Sequence, residues 1–293
     1  MTRPRQSTGI PALDSHLGGG LLPGTLTVVV GATGIGKTQL GLQYARAGLG
    51  QEGRPGIFFD MTARGDAQSH RDYAERMFDW KLEVTDPANP PPLGQIFRPE
   101  MSWGDYLRIF DYSGRRVTRK DLDWDEWHAW QGEWNARLAT AISFFYGNFV
   151  RGTRRVVVDG IEPVERSGES IQFHLFEYVY HQVLRKESDW VARDLFRQDF
   201  RAKSAEVEKS AYPFGEIGGL LLVTSPETML EPLLEKPLDN GDLLAVANTL
   251  IFMGRVRREG GFSRAMAIAK HRGSPCSESF LPYTIGGHGL QME

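Results

Sequence analysis

A chain of 293 residues with 41% hydrophobic and 24% charged side chains has enough apolar material for one large globular core or two small ones. The formal net charge of −3 gives no global attraction to nucleic acid, and a single cysteine, Cys276, excludes an internal disulfide and a thiolate metal cluster. The opening residues MTRPRQSTG lack an apolar leader segment and stretches such as AISFFYGNFV are too short to span a bilayer, so no membrane contact is expected and the cytoplasm is the expected compartment.

Residues 25–30, TLTVVV, are apolar and β-branched and read as a buried strand, while residues 38–47 read as a helix with Gly48 and Gly50 as stop signals. Between them GATGIGKT, residues 31–38, fits the pattern GxxxxGK[ST] in the order strand, glycine loop, helix that a phosphate cradle requires. Glycines at 31, 34 and 36 let successive backbone N–H groups turn inward, and the helix N-terminus adds its positive end. The expected contact set is Gly31, Ala32, Thr33, Gly34, Ile35, Gly36, Lys37, Thr38 and Gln39. In it Lys37 reaches the β- and γ-phosphates of a triphosphate and the Thr38 hydroxyl ligates Mg2+.

A second strand, GIFFD at 56–60, ends in Asp60. The long connection over 61–153 holds the proline-rich TDPANPPPLG and then Trp124, Trp127, Trp134, Leu138, Ala141, Phe145 and Phe149 at intervals that make one face of a helix starting near Asp121. That face is expected to pack against the sheet or a neighbouring insert, although its tryptophans also suit a surface for a protein partner. RRVVVDG, 154–160, has three consecutive valines before Asp159, the form of a buried parallel strand that delivers a carboxylate to magnesium. GGLLLVTS, 218–225, is a fourth apolar strand, so four strands end in polar groups on one sheet edge, where ligands of α/β folds sit. His174, Glu177 and His181 share a helical face, but no fourth ligand accompanies them and a packed helix is the expectation. Residues 185–215, with Trp190, Leu195, Phe196 and Phe200 at helical spacing among many charges, read as a solvated helix projecting from the core. Arginine clusters at 115–116, 151–155 and 255–258 are short and not interleaved with aromatics, so nucleic-acid binding is an alternative that the sequence does not favour.

The N-terminal STGIPALDSHLGGGLLPGTLTVVVGATGIGKTQLGLQYARAG resembles the opening of the RecA-like ATPases of the KaiC and RadA group, and NTLIFMGRVRREGGFSRAMAIAKHRGSPCSESFLPYTIGGHGLQM resembles the tail of a KaiC domain, with paired strands, an SRA turn and a basic KxRG segment. The resemblance implies an α/β fold with a central, mainly parallel sheet between helices, helical insertions at 61–153 and 185–215, and a C-terminal antiparallel extension. It implies one ATPase domain over 1–293 with ATP and Mg2+ as cofactors, hydrolysing ATP at the boundaries of a homo-oligomer, a hexameric ring. Catalytic positions carried over by it are Lys37, Asp60, Lys270 and Arg272, with Thr38 and Asp159 at the metal. Family members usually end the second strand in Glu-Glu, the first acting on the attacking water; here Asp60 is followed by Met61, and a shorter carboxylate implies slow hydrolysis. Glu162 is a second candidate base. In the clock protein's second domain a phosphorylated Ser-Thr pair precedes the TLIFM strand; Leu244 and Ala245 stand in its place, so a clock function is not expected. Lys270 and Arg272 correspond to a segment that reaches across the subunit boundary to the neighbour's ATP, and strand alternation is expected to point both to one face. The implied role is regulatory or signalling, with a recombinase-type DNA ATPase or a nucleotide-held scaffold as alternatives.

Overall fold

The computed structural model describes residues 4–62, 70–110, 124–161, 171–235 and 246–292. Ten strands form one sheet in the order β10-β9-β8-β7-β1-β6-β5-β2-β4-β3. Its parallel part is built from β1 (Leu26–Gly31), β2 (Ile57–Asp60), β3 (Val84–Thr85), β4 (Tyr106–Arg108), β5 (Arg155–Ile161), β6 (Gly218–Thr224) and β7 (Thr249–Arg258). Every residue of β1, β2 and β5 is buried, as near-continuous apolar runs require when both faces of a sheet are covered. From β7 the chain turns antiparallel through β8 (Gly261–His271), β9 (Leu281–Gly286) and β10 (Gly289–Gln291).

Helices α1 (Pro11–His16), α2 (Lys37–Gln51) and α3 (His70–Phe78) lie with one core cluster, containing Leu13, Leu40, Ala74 and Met77. The other face carries α4 (Trp124–Phe149), α5 (Ile171–Val179), α6 (Ser188–Phe196), α7 (Phe200–Lys209) and α8 (Leu230–Glu235), whose cluster includes Phe145, Phe176, Val191, Val207 and Leu233. Ala141, Phe145 and Phe149 are buried and Leu138 packs against them; Trp124, Trp127 and Trp134 are described in backbone only.

Several expectations change here. Gly48 and Gly50 do not stop α2, which runs on to Gln51; a Cβ at Gly48 would stand 2.7 Å from the Arg54 carbonyl oxygen, so that glycine serves close packing, and Gly53 at φ +76 marks the turn. Residues 185–215 do not project. The chain breaks at Arg197 (φ 48) into α6 and α7, and Val191, Ala192, Leu195 and Phe196 enter the core against α4, leaving Trp190 60% exposed. The 151–155 arginines also turn inward. Arg155 is fully buried, Arg151 donates to the carbonyls of Ile96, Gly147 and Arg98, and Arg154 pairs with Glu216, so this cluster is no cationic patch. Ser263, Arg264 and Ala265 belong to β8 rather than to a turn.

Candidate functional site

Gly31 ends β1 beside Thr224 of β6 and Met253 of β7, so the loop that follows leaves the C-terminal edge at the centre of the parallel sheet. A Cβ at Gly31 would stand 2.5 Å from the Met253 carbonyl oxygen, and Gly34 and Gly36 hold φ +76 and +109. Ala32, Thr33 and Ile35 complete the loop, and Lys37, Thr38 and Gln39 open α2 with their N–H groups at its positive end. The Lys37 ammonium is buried and turned back on its own loop, donating to Gly31 O at 2.8 Å and Ala32 O at 2.9 Å. Burial lowers its pKa to about 8 against the opposing charge of Asp159.

Asp159 and Asp60 are register partners on adjacent strands β5 and β2 and both are buried. Thr38 Oγ1 donates to Asp159 Oδ2 at 2.7 Å, which joins the glycine loop to the acid at the end of β5. The other carboxylate oxygen accepts the N–H of Gly160 at 2.7 Å. Asp60 is as fully engaged: its Oδ1 accepts the N–H of Thr62 at 2.8 Å and its Oδ2 accepts the phenol of Tyr106 from β4. Glu162 lies outside the described residues.

Sequence reasoning missed His70. It opens α3, is buried, and donates from Nε2 to Asp159 Oδ2 at 2.9 Å while Nδ1 stands 3.7 Å from Asp60 Oδ2. Burial disfavours the charged ring, yet the hydrogen bond to Asp159 and the charges of Asp60 and Asp159 outweigh it and raise the pKa. The converse holds for Asp159, whose burial is outweighed by the bond to His70 and the charges around it, so its pKa is lowered. Burial and then Asp60 raise that of Tyr106. Arg108, the register partner of Asp60 on β4, keeps Nε and Nη2 buried without a hydrogen-bond partner among the described residues. A lone histidine in a polar stretch has no period or spacing to announce it. The brace from the C-terminal strands was also unforeseen. The Tyr283 hydroxyl donates to Ile35 O at 2.7 Å, and a Cβ at Gly36 would touch Ile285 and Leu290.

Lys270 and Arg272 stand elsewhere. Leu250 pairs with both Val28 and Lys270, so the pair lies about 10 Å back along the strand direction from Gly31 and two strands to the side. Lys270 has a pKa lowered by burial and by the charge of Arg272, so the two are near neighbours. The register with β7 shifts at Ala269, but from Lys270 on it is regular: Lys270 pairs with Leu250, His271 with Thr249, and the Arg272 N–H donates to Asn248 O at 2.9 Å, so strand alternation carries through to Arg272 with the buried His271 between the two basic residues. His174 and His181 are exposed, and no group of three or more His, Cys, Asp or Glu able to hold a metal exists among the described residues. There is also no described helix long and apolar enough to cross a membrane.

A family model described as "ATPase: KaiC" matches residues 6–86. The circadian clock oscillator protein KaiC of Prochlorococcus marinus is 24% identical over 69% of this chain and 40% of its own length, and KaiC 1 of Synechocystis is 25% identical over 71% and 41%. The chain thus matches less than half the length of these relatives. The UPF0273 protein MK0039 of Methanopyrus kandleri is 43% identical over 58 residues, 20% of this chain and 23% of that protein. Among solved structures, the KaiC-like protein PH0186 of Pyrococcus horikoshii OT3 superposes over the whole of both chains with a TM-score of 0.54 at 16% identity, a likeness of fold. Glycine loop, Asp159 strand, sheet order and these likenesses converge: the chain has a P-loop α/β fold, is similar over residues 6–86 to the KaiC ATPase family model, and shares its overall fold with the KaiC-like protein PH0186.

Proposed function

We infer that the chain binds ATP with Mg2+ at the loop of residues 31–38 and hydrolyses it slowly, with each site completed by a neighbouring copy. The observation that carries this reading is the 2.7 Å bond between Thr38 and Asp159, which brings the loop and the acid strand to one point beside a buried Lys37. The donor set fits the cofactor: a hydroxyl and a carboxylate suit a hard divalent cation, and an ammonium resting on two carbonyls can turn to phosphate oxygens. Thr38 would hold Mg2+ directly and Asp159 through water, and the metal supplies positive charge to the β- and γ-phosphates. Backbone N–H groups of the loop and Lys37 bind the triphosphate, while Asp60 orients the attacking water and accepts its proton. Both oxygens of Asp60 already accept hydrogen bonds, from Thr62 N–H and the Tyr106 phenol, so a water must compete for them, which supports slow turnover.

The position of Lys270 and Arg272 favours assembly. They lie about 10 Å back from the loop edge of their own chain and two strands to the side, a position that supports contact with the γ-phosphate of a second copy. A ring of such copies, each site sensing its neighbour, suits a regulatory or signalling role better than a DNA-directed one, since the 151–155 arginines are consumed within the fold.

Titration with a fluorescent ATP analogue tests the binding: the wild-type chain is expected to saturate, and Lys37→Ala to bind at least about tenfold more weakly. Equal binding by both removes the loop from the reading. Assembly has its own test. Lys37→Ala subunits mixed with Arg272→Ala subunits are expected to recover phosphate release that neither has alone. No recovery, with activity strictly proportional to chain concentration at high dilution, rules out the shared site.

A further inference from the structure

Two carboxylates side by side at the ends of buried strands repel one another unless a positive or hydrogen-donating group lies over them. In this chain that place is taken by His70, which comes from outside the sheet. Its Nε2 meets Asp159 Oδ2 at 2.9 Å, the same oxygen that accepts Thr38 Oγ1 at 2.7 Å, and its Nδ1 stands 3.7 Å from Asp60 Oδ2. Thr38 and Asp159 are the two protein groups between which a nucleotide-bound metal and its water shell would be held. His70 therefore sits on the oxygen that those waters need.

We propose that His70 and the metal exclude one another: the imidazole holds Asp159 in the metal-free chain, and entry of a Mg2+-bound nucleoside triphosphate expels it. This inference rests on the nucleotide-binding reading above. Its consequence is carried by α3, a helix of nine residues with His70 as its first. At the other end Met77 packs against Gly289, whose neighbour Leu290 lies over Gly36 of the loop. Loss of the His70 contact unseats the first turn of α3 while the last turn stays braced against the nucleotide cradle. The helix thereby reads out whether the metal site is filled.

The test uses the full chain with His70→Ala and His70→Leu, the second filling the space beside the rings of Phe58 and Tyr106 without supplying a donor. Affinity for a non-hydrolysable ATP analogue is measured by calorimetry in excess Mg2+ and in chelator, and amide exchange across residues 70–78 is followed in each state. Both variants are expected to bind the Mg2+-loaded analogue on the order of tenfold more tightly than the wild type, because no hydrogen bond to a carboxylate must first be broken. Their affinity in chelator is expected to be unchanged. In the wild type the Mg2+-loaded analogue, and not the analogue in chelator, is expected to speed exchange in the first turn of α3, whereas in the variants exchange there is fast throughout. Equal or weaker Mg2+-dependent binding by the folded variants, or wild-type exchange in α3 that ignores the metal, overturns the proposal and makes His70 a fixed support of Asp159. Failure of the wild type to bind the analogue in either condition overturns the nucleotide reading itself, so the two failures are told apart.

Discussion

Asp60→Asn is expected to lower phosphate release by about 10²- to 10⁴-fold, the range that general-base catalysis contributes, while nucleotide affinity stays within about twofold. Asparagine keeps the size and the acceptor oxygen of the side chain but cannot take a proton. The surrounding bonds make the substitution conservative in structure: Thr62 N–H can still donate to the amide oxygen, and Tyr106 can rotate its hydroxyl to accept from the amide nitrogen. A phosphate-release assay at saturating ATP, paired with the fluorescent-nucleotide titration, separates the two quantities. Undiminished release removes Asp60 from the reaction. A parallel loss of affinity shows instead that the acid shapes the pocket.

Arg155→Ala is expected to cost about 3–5 kcal/mol of stability, the usual penalty for removing one partner of a buried ion pair, and to lower the unfolding midpoint by on the order of 10 °C. The guanidinium is fully buried at the start of β5, bonds both oxygens of Glu52 at 2.7 and 3.0 Å, and donates to the carbonyls of Ser7 at 2.6 Å and Tyr44 at 2.8 Å. Its carbon lies 4.9 Å from the centre of the Tyr44 ring. One side chain thus ties the N-terminal segment, the end of α2 and the acid strand together. Differential scanning calorimetry on Arg155→Ala and on Glu52→Gln measures the effect. A midpoint shift under about 2 °C for Arg155→Ala would show that water satisfies these groups equally well.

The parts of the molecule that sequence reasoning recovered share a physical property: their signal is local. β1, β5 and β6 are each built round an apolar run, Val28–Val30, Val156–Val158 and Leu220–Val223, and the loop between β1 and α2 must have glycines where backbone approaches backbone, so pattern and structure coincide there. What was missed depends on pairing across the chain. His70 and Tyr106 gain meaning only when β2 pairs with β5 and β4, because that pairing sets Asp159 beside Asp60 and lets the Tyr106 phenol, in register with Phe58, reach the Asp60 carboxylate. Strand β4 is three residues long, too short to show alternation. The 185–215 segment looked solvated because charges dominate it, yet one narrow apolar stripe suffices to seat a short helix once α4 provides a surface. Arg155, which the sequence shows only as part of a short arginine cluster, is illegible for the same reason: its carboxylate partner Glu52 is 103 residues away.

The brace on the nucleotide loop sets the order in which the working molecule comes into being. Tyr283 and Leu290 hold Ile35 and Gln43 across sequence separations of 248 and 247 residues. During synthesis the loop leaves the ribosome long before its support, which follows it by 248 residues. At typical elongation rates of about 5–20 residues per second, the glycine loop therefore waits on the order of ten seconds or longer before β9 and β10 can close over it. A nascent chain has strand β1 and helix α2 without these walls, so a ligand of the loop is unable to act as an early template for folding. Any ligand of the glycine loop meets its finished site only after β9 and β10 have been made.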